Sequence, residues 1–272
     1  MKKQLWIILL ILGLILAGVV LFFLLSSSGK GATLSLREQA LAKSGIVYRS
    51  DRFVRPAEEG VPFGEKQSDG RWRVVLHSGN NIRALTDVVF DEVRCFSTFF
   101  IDRYSNLQHV GAVCMDGKWG YLRFDAASLS FTETSDLQWL TFPVYENAEP
   151  FCNGIAVVKF NGKYGCINLQ GEWILEAEYD DARFYSESLL PVSINGDWYY
   201  ITSRGVKVFG PFQGAESFSE GYAAVCRDGL WGYIDRKGNA VTEFLYLDAW
   251  EVSSGRAEVF RDGRWIEISL TE

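Results

Sequence analysis

The chain has 272 residues, 34 of them acidic and 27 basic, and this acidic balance gives it no electrostatic reason to bind nucleic acid or anionic lipid heads. Nine Trp, twelve Tyr and nineteen Phe beside 26 Gly favour pleated structure over helix, because aromatic rings suit half-buried sheet surfaces. Five Cys, an odd number with no Cys-x-x-Cys spacing, argue against a complete disulfide framework and against a zinc site.

After a cytoplasmic tail at 1–4 with Lys2 and Lys3, residues 5–25 (LWIILLILGLILAGVVLFFLL) run for 21 positions without a charge. About 20 such residues span a hydrocarbon core of roughly 30 Å, so the stretch reads as one uncleaved transmembrane helix. It is longer than the apolar core of a signal peptide, and LLSSS after it offers no small-residue cleavage pattern. Lys2 and Lys3 place the amino terminus in the cytoplasm and the rest of the chain outside, although Lys30, Arg37 and Lys43 dilute that signal. The expected location is therefore the plasma membrane, single-pass, with an extracytoplasmic domain. Without the anchor the balance is 34 acidic to 25 basic residues, a charge of −9.

Residues 26–45 read as a linker. SSSGKGA is flexible, and Ser35-Leu36-Arg37-Glu38 is a capping box that opens a short juxtamembrane helix over 36–43. Residues 46–54 (IVYRSDRFV) have β-type composition, and the domain assigned to 46–272 is a repeat array.

Its signature is Asp/Asn-Gly-x-aromatic, which occurs six times. The aromatics are Trp72, Trp119, Tyr164, Trp198, Trp231 and Trp265, spaced 47, 45, 34, 33 and 34 residues apart. Asp-Gly or Asn-Gly between alternating residues marks a type I′ hairpin, since both central residues need positive φ. Seven residues after the aromatic a Gly recurs at 79, 171, 205 and 238, with Ala126 in the odd copy. An aromatic then leads into Asp180-Asp181-Ala182, Gln213-Gly214-Ala215 and Leu247-Asp248-Ala249. A Phe opens the next unit at Phe151, Phe184 and Phe218. A period of this kind marks solenoids and propellers.

Phe218–Gly238 (FSEGYAAVCRDGLWGYIDRKG) resembles the bacterial WG-containing repeat family, and residues 113–121 and 151–167 match it well, the latter with Tyr164-Gly165 for Trp-Gly. The copies at Trp72, Trp198 and Trp265 keep the turn and lose the following Gly. The resemblance covers roughly residues 60–270. It implies a bacterial repeat protein with an interaction role and no specific activity.

The expected fold is all-β: six hairpin-based units of about 34 residues after one N-terminal transmembrane helix. Each unit gives strands such as 222–227, 230–235, 240–245 and 247–252, and units must stack because a lone hairpin cannot bury its apolar face. The turn aromatics are expected to line the shared core. Two arrangements fit: a propeller-like ring, closed by 46–54 and preferred, or an open β-solenoid row. Cys114 and Cys226, across the hairpin from Trp119 and Trp231, are expected to be small packing residues.

Insertions at 97–108 and 128–146 interrupt the period, and loops of this kind often carry contacts. The second brings Trp139, Phe142 and Tyr145, the candidate partner-contact residues.

No catalytic, cofactor-binding or metal-ligating set can be assembled. His77 and His109 are the only histidines, and the recurring Asp and Asn are explained by turn geometry. The pairs Asp180-Asp181 and Asp91-Glu92 are sequence neighbours, whereas paired-acid catalysis needs carboxyls facing across a cleft. A non-catalytic envelope module that binds a protein partner is expected. The alternative is a cell-wall or glycan binder using exposed rings such as Trp139 or Trp250.

Overall fold

The computed structural model describes residues 59–100, 107–127, 129 and 137–270. The expected anchor (5–25), linker and juxtamembrane helix (26–45) and strand (46–54) lie outside the described residues, as do parts of both insertions. The chain divides after Tyr48, and every described residue belongs to the unit 49–272.

Six small antiparallel sheets follow one another in sequence, each with its strands in chain order. The first holds β1 (Pro62–Lys66), β2 (Trp72–Ser78) and β3 (Asn81–Phe90). The second holds β4 (Glu92–Phe100), β5 (Leu107–Met115), β6 (Lys118–Asp125) and β7 (Trp139–Tyr145). The third holds β8 (Asn147–Ala148), β9 (Ile155–Phe160), β10 (Lys163–Asn168) and β11 (Trp173–Tyr179). The fourth holds β12 (Asp181–Ala182), β13 (Leu190–Ile194), β14 (Asp197–Ile201) and β15 (Lys207–Phe212). The fifth holds β16 (Gly214–Ala215), β17 (Tyr222–Arg227) and β18 (Leu230–Asp235). The sixth holds β19 (Asp248–Ala249), β20 (Arg256–Arg261) and β21 (Arg264–Ser269). The described residues contain no α-helix.

Sequence and structure agree closely at the hairpins. β17 and β18 have the expected bounds, and Cys114 and Cys226 pair directly with Trp119 and Trp231. Asp116, Asn161, Asn195, Asp228 and Asp262 have φ between 50° and 55° and precede a positive-φ Gly, as a type I′ turn requires. The first copy departs: a longer loop runs from Gln67 to Arg71, and Asp69 accepts a hydrogen bond from the Arg71 N–H at 3.0 Å. Residues 240–246 make only two isolated bridges to β18, through Ala240 and Tyr246, and the stretch 247–252 shrinks to the two-residue β19.

Alternation sends successive side chains to opposite faces, so each inner sheet packs against both of its neighbours. Five apolar clusters result, each between consecutive sheets. Val74 and Leu76 meet Phe96 and Val113, and Ala112 and Tyr121 meet Ala156 and Val158. Val157 and Cys166 meet Val192 and Ile201, and Tyr200 meets Val225 and Ile234. Ala224 and Tyr233 meet Ala257 and Val259.

The outer face of the sixth sheet differs. Glu267 stands where Tyr233 stands in the fifth sheet, and Glu258 pairs with it as Ala224 pairs with Tyr233. Both glutamates are exposed, and Arg256 pairs with Glu267 at 2.6 Å.

Candidate functional site

The residues that recur are the first place to look for chemistry, and the structure gives nearly all of them a mechanical task. The turn aromatics were expected to line the core. Trp119 and Trp198 are buried, whereas Trp72, Tyr164, Trp231 and Trp265 are half-buried at the sheet margins. Guanidinium groups cover the buried pair: Arg94 lies 4.2 Å from the Trp119 ring centroid and Arg183 lies 4.4 Å from that of Trp198.

The deepest aromatic sits two residues further on. Tyr121, Tyr200 and Tyr233 have no solvent exposure. Each hydroxyl reaches into the next sheet and donates to a backbone carbonyl: Glu149 at 2.5 Å, Glu216 at 2.7 Å and Trp250 at 2.5 Å. Burial pushes the phenols of Tyr121 and Tyr200 well above their ordinary pKa, so they remain donors. In the third sheet the same position is Cys166, whose thiol burial raises to about 12, leaving it inert as a nucleophile.

The polar residues after the outer-strand aromatic are turn caps. Asp91 accepts from the Gly117 N–H (3.2 Å), Glu146 from Gly162 (3.1 Å), Asp180 from Asn195 (2.6 Å) and Gln213 from Gly229 (2.6 Å). A second series joins neighbouring sheets, with Glu187 on the Gly221 N–H at 3.0 Å and Glu220 on Ser254 and Gly255, both at 2.7 Å. The two acid pairs singled out from the sequence are thereby accounted for. Asp180 also binds Lys163, Asp181 pairs with Arg183 at 3.2 Å, and Glu92 lies 3.9 Å from Arg94.

Three ion pairs between sheets were not foreseen: Arg236 with Glu187 at 3.7 Å, and two that lie in one row. Arg94 meets Glu149 at 3.3 Å, and Arg183 meets Glu216 at 3.5 Å. The four residues occupy equivalent places in successive sheets, so the sign alternates along the row. Irregular spacing between the first two copies hid that alternation in the sequence.

The histidines are structural. His109 is buried beside Thr98, with Nδ1 2.9 Å from the hydroxyl, and His77 rests edge-on against Phe63. Among the described residues no three His, Cys, Asp or Glu side chains converge as a metal site would require.

Hydrogen bonds hold three exposed carboxyls below the usual carboxylate range: Asp180 through Lys163 and the Asn195 N–H, Glu220 through Gly255 and Ser254, and Asp235 through Asn239. A depressed carboxyl contributes stability above its unfolded pKa and loses it as pH falls through the folded value. Burial also lowers the pKa of His109, so the unfolded chain binds the proton more readily, which destabilises the fold in the same direction. The urea midpoint is therefore expected to fall on acidification from about pH 6 to about pH 3, less steeply in Glu220→Gln. A flat profile would contradict these caps.

The candidate contact segment divides. Tyr145 is 5% exposed and pairs with Trp119, taking the core aromatic position of its unit, so it offers no contact surface. Trp139 is half-buried against the cluster between the first two sheets. Phe142 is 68% exposed and Val144 46%, and Phe142 leans on Trp139 at 5.9 Å between centroids. Phe142 and Val144 alternate with inward residues on β7, so they share one outward face.

Consecutive small sheets tied by turn caps and buried tyrosines define an all-β tandem-repeat protein. Residues 138–164, 164–198, 212–231 and 231–265 match the WG containing repeat, so these segments are similar to that family. A comparison with curated proteins finds no match. Among solved structures the chain is similar to apo AztD from Citrobacter koseri, with 12% identity and a TM-score of 0.39 over 79% of this chain and 68% of that one. It is also similar to the PQQ-bound form of aldose sugar dehydrogenase from Streptomyces coelicolor, with 10% identity and a TM-score of 0.33 over 80% and 97%. Likenesses at this level carry no argument about closure, cofactor or activity.

Proposed function

We propose that this chain is a membrane-anchored, non-catalytic repeat array that binds a protein partner at the outer side of the plasma membrane through β7. One observation carries the reading. The recurring acids and buried rings are occupied in holding turns and sheets together, while Phe142 and Val144 stand outward on a strand the repeat does not require to be apolar. The equivalent outward positions of β11 are Glu176 and Glu178. Exposed aromatic residues of this kind are favoured at protein interfaces.

An open row is the arrangement proposed: Val74, Tyr121, Cys166, Tyr200 and Tyr233 are buried two residues after the turn aromatic, whereas Glu267 at that place in the sixth sheet is exposed. The anchor follows from residues 5–25 and the orientation from Lys2 and Lys3.

A Phe142→Asp, Val144→Asp double variant tests the contact. Its expected behaviour is unchanged thermal stability with loss of the species co-purified by the wild type. Unchanged co-purification would sink the reading. The glycan alternative has Trp139 as its observation, a half-exposed ring beside Phe142. Sedimentation of the wild type with purified cell-wall sacculi, abolished by Trp139→Ala, would favour it.

A further inference from the structure

Four joints link the second sheet through to the sixth, and three of them are tied in the same way. A buried tyrosine donates its hydroxyl to a carbonyl of the next sheet: Tyr121 to Glu149, Tyr200 to Glu216 and Tyr233 to Trp250. Serine hydroxyls repeat the tie at the same three joints. Ser97 donates to the Phe151 carbonyl, Ser217 to that of Phe184 and Ser219 to that of Val252, each at 2.8 Å. Carboxylates reinforce them. Glu149 holds Arg94 of the second sheet, Glu187 of the fourth caps Gly221 of the fifth, and Glu220 of the fifth caps Ser254 and Gly255 of the sixth.

The joint between the third and fourth sheets is built differently. Cys166 holds the tyrosine position, and its side chain ends at Sγ, well short of where a phenol hydroxyl reaches. Asn153 holds the glutamate position. Its φ of 50° matches the 49° of Glu187 and the 54° of Glu220, but its side chain is one methylene shorter. The charged row passes this joint over, because Glu149 faces back to Arg94 and Arg183 faces on to Glu216. Val157 and Cys166 pack here against Leu190, Val192 and Ile201, and Asp180 in the connecting segment binds Lys163 and the Asn195 N–H.

Apolar contact is non-directional, so burial alone holds two faces together without fixing the angle between them. Each apolar cluster lies between consecutive sheets, and the stability of such an array is a sum of repeat terms and joint terms. The joint with the fewest directional ties is the first to open.

We propose that the joint between the third and fourth sheets is a hinge, opening ahead of the other three and dividing the array into two halves that keep their own hairpins. Opening uncovers the Cys166 thiol, which is 1% exposed when the joint is closed.

Thiol labelling of the full-length chain under native conditions reads the hinge, with dithiodipyridine as the probe. The Cys166 thiolate attacks one sulfur of the reagent, thiopyridone leaves, and the mixed disulfide is located by peptide mass. Ala224→Cys supplies the control, a wholly buried position in the tied joint between the fifth and sixth sheets. Each rate is divided by that of the same thiol in the urea-unfolded chain, which removes differences in intrinsic reactivity. Cys166 is expected to label about tenfold faster, or more, than the thiol of Ala224→Cys. Asn153→Glu lengthens an exposed side chain to that of Glu187 and Glu220 and is expected to slow Cys166 labelling about threefold or more. Labelling of Cys166 no faster than that of Ala224→Cys overturns the hinge, since global unfolding alone would then expose both thiols. An unchanged Cys166 rate in Asn153→Glu overturns it as well. If Ala224→Cys fails to fold, Ala112→Cys takes its place in the tied joint between the second and third sheets.

Discussion

Tyr200→Ala is expected to lower the unfolding free energy by about 3–5 kcal/mol, the usual cost of truncating a large buried ring. The ring is wholly buried and meets Phe209, Phe212 and Phe218 at centroid distances between 5.0 and 6.1 Å. Its hydroxyl donates to the Glu216 carbonyl, so the side chain fastens the fourth sheet to the fifth. Tyr200→Phe separates the two contributions. It keeps the ring and leaves a buried carbonyl without its donor, which costs about 1–3 kcal/mol. Trp265→Ala removes a half-exposed ring from the last sheet and is expected to cost less than Tyr200→Ala. Urea unfolding of the three variants checks the order, and a larger loss from Trp265→Ala would reverse the assignment of the core.

Gly165→Ala is expected to cost about 2–3 kcal/mol by overpacking. A Cβ at 165 would lie 2.6 Å from the Leu175 carbonyl oxygen and 2.8 Å from the Ala177 nitrogen, both backbone atoms of β11 that cannot swing aside. The register between β10 and β11 shifts here, bringing the outer strand over the Trp-Gly position. A Cβ at Gly120 would lie 2.6 Å from the Thr141 oxygen for the same reason. The fourth sheet shows how the constraint is moved. Tyr199 replaces the Gly, and Gly210 in β15 takes φ 121°, where a Cβ would lie 2.7 Å from the Trp198 oxygen. Gly210→Ala is accordingly expected to destabilise as Gly165→Ala does. A Gly165→Ala protein with wild-type stability would show that β11 has room to yield.

These two residue types also mark where the sequence was legible. Asp-Gly and Asn-Gly turns carry their geometry in two adjacent residues, so five of the six hairpins could be read directly. Only the Asp69 loop needed tertiary context. The glycine after the Trp was visible as a motif, yet its reason lies in a strand some ten residues away. Tyr121 and Tyr233 follow a Trp-Gly pair and Tyr200 follows Trp198-Tyr199, but nothing local in these segments says which ring lies deeper. Alternation puts both rings on the same face, and the Tyr is deeper because it lies two residues further from the turn, toward the middle of the sheet. Tyr145 was misjudged because it lies inside an insertion. Counting back from Ala148 as one counts back from Ala182 to Tyr179 would have placed it among the core aromatics. The ion pairs from Arg94 and Arg183 to the next sheet join residues 33 to 55 positions apart, a separation at which sequence gives no pairing.

In the proposed function the repeats are scaffold and recognition belongs to the outward face of β7. In-cell photo-crosslinking with the probe at Phe142, compared with a probe at Lys163, tests this most directly. Lys163 is engaged with Asp180 at a turn. The account predicts one discrete protein adduct from position 142, absent from position 163 and lost in Val144→Asp. Adducts of the same pattern from both positions, or none from 142, would contradict it.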